Sequence, residues 1–327
     1  MRSPETARAI PELVSAGLLS PEQAAPLLAA ARGDLVSVRA ELRTLAGLAV
    51  ALLLGGAGAL IAQLDAAIGP LVVSIALALA TALALVAAWR RAPAFTWGRD
   101  ERSDWLLDAL VLLTIGLAGA ELAWVEVHFT PLGADWPLHL LLMSLVAGAL
   151  ALRFDSLAAW SLALSTFAAW RGVALTPTAA TVDRALSSHA TGSLRANLLL
   201  CAALFTVLGL LSRRLDRKAH FEPATTFFAV LAAGLGFASG LDSHGSWPLW
   251  TLALAILGGG VAVWAFRRRR RALFALGALG LYVAMTRLLF ALPFAEGIGC
   301  FWFAASTVGA IVVLVVVHRR FEREAAS

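Results

Sequence analysis

Glu121 and Arg287 are the sharpest candidates for chemistry in this chain, because both fall inside long apolar runs where a charge is expensive. At 1.5 Å of rise per residue the two would sit at similar depth, so a carboxylate facing a guanidinium could form a gated ion pair on a solute or proton route. The same residues would serve equally as a structural pair, or as two side chains snorkelling outward to water. A second group, Glu126, His128, Asp135 and His139, gathers carboxylates and imidazoles near one end of the apolar runs. Such a set could move protons or hold Zn²⁺, but paired-ligand spacing of the HExxH kind is missing and Glu126-Val127-His128 is the nearest approach. We therefore expect no metal site and no cofactor. Serine, histidine and acidic residues occur without a nucleophile-elbow motif, so no catalytic residues are assigned and an enzyme is not expected.

The run Arg267, Arg268, Arg269, Arg270 and Arg271 could contact anionic lipid, or could act only as a topological anchor. Glycines at 55, 56 and 58, at 234 and 236, and at 258–260 all lie in apolar runs, where small residues allow close helix packing. The middle run could instead support a broken helix at a binding site. None follows a strand, which excludes a phosphate-cradling loop.

The elements that must position these residues are membrane helices. Of the 327 residues 60% are hydrophobic and 14% charged, unlike a soluble domain. A bilayer core about 30 Å thick needs about 20 apolar residues per helix. The apolar runs predict ten spans, at 44–64, 68–89, 105–124, 137–152, 155–170, 196–212, 224–240, 248–266, 272–292 and 297–317. Backbone amides find no water in hydrocarbon, so every span must be helical, and the predicted fold is an all-α polytopic bundle.

The net charge of +5 could suggest nucleic acid, but its distribution argues for topology. Of 26 Lys and Arg residues, 22 fall in the two termini and alternate joints. Arg171, Arg184 and Arg195 lie on the opposite side, and Arg287 lies within a span. This positive-inside pattern requires an even number of spans with both termini cytoplasmic, so no nucleic-acid partner is expected. Trp89, Trp105, Trp124, Trp136, Trp170, Trp247 and Trp250 fall near span ends, as amphipathic rings at headgroup level should. A polar segment of about 43 residues before the first span argues against a cleavable signal peptide. Cys201 and Cys300 read as two buried apolar thiols.

Residues 1–43 form the expected soluble piece. Pro11 suits a helix start, and Leu13, Val14 and Leu18 give a short apolar face before Gly17 breaks the turn. Ser20-Pro21-Glu22-Gln23 reads as an N-cap, a first-turn proline and a capping-box glutamine. Pro26 should kink or shorten that second helix. The prediction is a helical hairpin with Leu27 and Leu28 facing Leu13 and Val14, too small to hold a core alone. It would pack on the membrane domain, on a copy of itself, or on a partner protein.

The stretch from Leu13 to Ala24, the arginines after it and the Gly-rich first span resemble the bacterial membrane proteins grouped as domain of unknown function 2157. The likeness covers the hairpin and the first five spans, including Gly119-Ala120-Glu121-Leu122-Ala123-Trp124, with Glu121 where that family is expected to carry glutamine. It implies a polytopic protein of the bacterial inner membrane and no established chemistry.

The expected organisation is a hairpin at 1–43, five spans over 44–170, an outer loop at 171–195, five spans over 196–318 and a tail at 319–327. Two halves of five spans would be inverted relative to each other, a plan common among transporters. A small-solute transporter is thus the leading expectation. The alternative is a membrane anchor, assembly or sensory subunit whose hairpin binds a cytoplasmic partner.

Overall fold

The computed structural model describes residues 4–32, 69–98, 105–130, 137–172, 188–243 and 245–291, with scattered helical positions at 45–56 and 301–309. Among the described residues every regular element is helical. Helices α1 (Pro4–Ser15) and α2 (Pro21–Arg32) form the N-terminal hairpin. Then follow α3 (Pro70–Arg91), α4 (Trp105–His128), α5 (Pro137–Phe154) and α6 (Leu157–Gly172). The second group is α7 (Ser188–Arg214), a 3-10 turn at Ala219–Phe221 running into α8 (Glu222–Ala238), α9 (Trp247–Arg267) and α10 (Arg271–Leu289).

Seven of the described helices are long and apolar enough to cross a membrane. The fifth expected span, α6, has 16 residues and falls short of that length. The spans expected at 44–64 and 297–317 lie outside the described residues, apart from the scattered positions. Two of these positions are informative: Trp302 Nε1 donates to Thr286 Oγ1 at 3.1 Å, and Tyr282 Oη lies 3.1 Å from Ser306 Oγ. Pairing 286 with 302 and 282 with 306 makes that segment antiparallel to α10.

The surface carries the signature of a bilayer solvent. On α3, Val73, Leu77, Ala84 and Ala88 are buried, whereas Leu71, Val72, Ile75, Leu79 and Leu83 point outward. Both faces are apolar, so hydrophobicity alone does not separate them. Ala88, Ala147, Ala151 and Ala159 are fully buried, which lets backbones approach where lipid removes the hydrophobic drive for association. The closest approach joins α9 and α10. A Cβ at Gly258 would lie 2.5 Å from Leu281 N, and one at Gly277 would lie 2.6 Å from Ala262 N. Gly259 and Gly260 face open space. Gly234 and Gly236 sit in an unbroken helix, so the broken-helix reading does not hold there.

Helices pack chiefly as four sequential hairpins, α3–α4, α5–α6, α7–α8 and α9–α10. Each is closed at the end where the basic joints lie. Contacts between successive hairpins, such as α8 with α9, are sparser. This pairing repeats every two spans. An inverted five-and-five plan would carry the tight α3–α4 pair onto α8–α9, which is not tight.

The N-terminal hairpin forms with altered details. Ser20 Oγ accepts from Gln23 N–H and Gln23 Oε1 accepts from Ser20 N–H, both at 3.2 Å, which completes the capping box. Gly17 turns the chain with φ +72°, a conformation glycine adopts without a Cβ clash. Pro11 does not start α1: the helix begins at Pro4, another proline suited to a first turn. Pro26 lies within α2, which continues to Arg32. The small core is Ile10, Ala24 and Ala31 with Val14 and Leu28 against them. Leu13 and Leu27 are exposed, flanking the seam that Ile10, Val14 and Leu28 line. Residues 188–195, expected in a loop, belong to α7.

Candidate functional site

Polar chemistry in the described bundle concentrates at the two ends of the helices. At the basic end the centre is Lys218, the only lysine in the chain and 4% exposed. Its Nζ lies 2.9 Å from Asp155 Oδ1, and His220 Nε2 lies 2.8 Å from the same oxygen. Both Asp155 (φ 60°) and Lys218 (φ 51°) adopt left-handed backbone in tight joints. Lys218 N–H donates to Trp97 O at 2.8 Å, and Ser212 Oγ donates to the carbonyls of Arg217 and Lys218. One residue therefore joins the closing turns of three hairpins: 92–98, 155–156 and 215–218. A compact ammonium with three donors suits that position better than a planar guanidinium would.

The neighbours continue the same arrangement. Arg153 Nη1 donates to Pro93 O at 3.3 Å, and its guanidinium lies 4.4 Å over the Trp89 ring. Glu222 in the first turn of α8 accepts both terminal nitrogens of Arg270, at 3.2 and 2.9 Å, and Thr226 Oγ1 donates to it at 3.1 Å. This fork ties in the fourth closing turn. Trp160 stacks on Phe221 at 5.1 Å and donates Nε1–H to Thr225 Oγ1 at 2.9 Å, binding α6 to the start of α8.

At the opposite end two arginines grip the turn after α8. Arg195 Nη2 donates to Ser239 O at 3.1 Å and to Ser243 Oγ at 2.6 Å, with its guanidinium 4.4 Å over Trp250. Arg287 Nε donates to Leu241 O at 3.0 Å and lies 4.6 Å over Trp247. The carbonyls ending a helix lack intrahelical partners and carry partial negative charge, so two cations there satisfy both needs.

These contacts correct the expected Glu121–Arg287 pair. Arg287 serves the α8–α9 turn, whereas Glu121 is half-buried on α4, which packs against α3, α5 and α6. The two do not pair, because equal depth along different helices says nothing about which helices are neighbours. Of the second group, His139 Nδ1 lies 3.1 Å from Glu126 Oε2, both largely buried, joining α4 to α5. His128 Nδ1 lies 3.1 Å from Trp124 O and its ring stacks on that indole at 3.9 Å. Asp135 lies outside the described residues, as does Cys300. Cys201 is buried in α7. Among the described residues no group of three or more His, Cys, Asp or Glu could hold a metal ion.

In the basic run, Arg267, Arg268, Arg269 and Arg271 are exposed, whereas Arg270 turns back onto Glu222 and over Trp264. Arg270 is therefore not available to lipid in the way the run as a whole suggested. Sequence reasoning did not single out Asp155, Lys218 or Glu222. A signal was present: a single lysine among 26 cations marks a position where arginine does not substitute. No family model matches the chain, and neither a curated protein nor a solved structure does.

Proposed function

We propose that this is a multi-pass protein of the bacterial inner membrane, with about ten spans and both termini cytoplasmic, that anchors its N-terminal hairpin for a cytoplasmic protein partner. The observation that carries this reading is the hairpin itself. Its inner face is filled by Ile10, Val14, Ala24, Leu28 and Ala31, yet Leu13, Leu18 and Leu27 remain 38%, 73% and 47% exposed. Three outward leucines on a capped, short module leave apolar surface that another helix could cover. The bundle supports a holding role, since Lys218, Glu222, Arg195 and Arg287 fasten helix ends to one another.

The test is a photo-crosslinking residue at position 18 of the full-length chain in native membranes. One discrete adduct with a different protein is expected, and none from the same residue at buried position 24. Adducts with lipid alone, or with a second copy of the chain, would sink the partner reading.

A small-solute carrier is the second reading. It is favoured by a lateral cleft of about 510 Å³ among α5, α6 and α7, floored by Ser144, Gly148 and Ala163. Deleting residues 1–40 would leave a carrier's solute flux in proteoliposomes intact and would abolish partner binding.

A further inference from the structure

A second cleft, of about 310 Å³, lies among α7, α8 and α9 and differs from the others in being polar at one end. Its basic end is bounded by Arg213, Glu222 and Trp264, and its length by Gly209, Ala229, Ala233 and Leu257. The polar groups are not equivalent. Glu222 is neutralised by the Arg270 fork and by Thr226. The Thr206 hydroxyl, the other polar side chain in the wall, already donates to Ala202 O at 2.7 Å. Arg213 is exposed and hydrogen-bonds to no described residue; its charge acts across the mouth on Glu222, which already holds Arg270. Two guanidiniums thus face one carboxylate at the mouth, which leaves one net positive charge there.

The dimensions supply the second argument. From Arg213 to Ala202, the deepest residue of α7 in the lining, is eleven residues, or about 16 Å of helix. That is about half of a hydrocarbon core roughly 30 Å thick, so the cleft runs from headgroup level to the bilayer midplane. A cation at one end, a leaflet's length of apolar wall and a floor of glycine and alanine match one molecule. We propose that this cleft seats a single anionic phospholipid of the leaflet at the basic end, its phosphate on Arg213 and one acyl chain along Gly209, Ala229 and Ala233. A free phosphate ion would use Arg213 and leave the apolar length unused, so the lipid is the better match.

The experiment uses full-length protein in mild detergent, titrated with phosphatidylglycerol and separately with phosphatidylcholine, bound lipid being counted by native mass spectrometry. Wild type should retain one phosphatidylglycerol in preference to phosphatidylcholine. Arg213→Ala should weaken that adduct roughly tenfold or more, the effect of losing one charge-assisted contact. Arg214→Ala, at the same depth on the same helix but outside the cleft, should not weaken it. Ala233→Leu, which adds bulk to the apolar wall, should reduce retention even with Arg213 present; an unchanged thermal transition confirms that this variant folds. Equal loss in the Arg213 and Arg214 variants would overturn the site. Displacement of the lipid by millimolar glycerol phosphate would overturn the role of the acyl chain.

Discussion

Lys218 Nζ and Asp155 Oδ1 meet at 2.9 Å across 63 residues of chain, both side chains almost fully withdrawn from solvent. An ion pair in that setting contributes little net stability against an apolar replacement, yet losing Asp155 strands a buried ammonium and losing Lys218 leaves the carboxylate with His220 alone. Lys218→Met alone, or Asp155→Asn alone, should cost about 3–5 kcal/mol, read as a fall in the thermal unfolding temperature of detergent-purified protein. The double variant should recover most of that loss. Additive single effects would show that the two groups do not act as a pair.

The α9–α10 crossing gives a sharper steric prediction. Gly258→Ala and Gly277→Ala each place a methyl within 2.6 Å of facing backbone, which must move. Each should destabilise by about 1–3 kcal/mol, the usual cost of overpacking. Gly259→Ala, one residue along the same helix, meets nothing within 4 Å and should be neutral or mildly stabilising. Thermal melts of the three variants side by side decide it, and equal effects would contradict the crossing geometry.

Arg287 and Glu121 should behave as strangers. Arg287→Ala strands the Leu241 carbonyl and empties the face of Trp247, a loss of about 1–3 kcal/mol. Glu121→Gln should change stability little. A double-mutant cycle should give a coupling below about 0.5 kcal/mol, and exchanging the two charges should not restore the Arg287 loss.

In the N-terminal hairpin, Ser20→Ala removes the acceptor for Gln23 N–H and should cost α2 about 1 kcal/mol. Amide hydrogen exchange on the full-length protein should show faster exchange over residues 21–24 and unchanged rates in α3. Gly17→Ala should loosen the turn for a different reason, since φ +72° is unfavourable once a Cβ is present.

Much of this was legible in one dimension. Apolar run length alone demands helices in a bilayer, and eight predicted spans appear as helices near their expected bounds, from Pro70–Arg91 to Arg271–Leu289. The capping box is equally local, since Ser20 and Gln23 are three residues apart and need no other element. What the linear order could not decide was which helices touch. Lipid is as apolar as leucine, so hydrophobicity says that a segment is embedded but not which face meets a neighbour. Partner choice rests on small residues such as Gly258 against Gly277, and on end-to-end polar ties whose members lie tens of residues apart. That is why Arg287, conspicuous in its span, binds a carbonyl after α8 instead of Glu121, and why an unremarked lysine proved to join three turns.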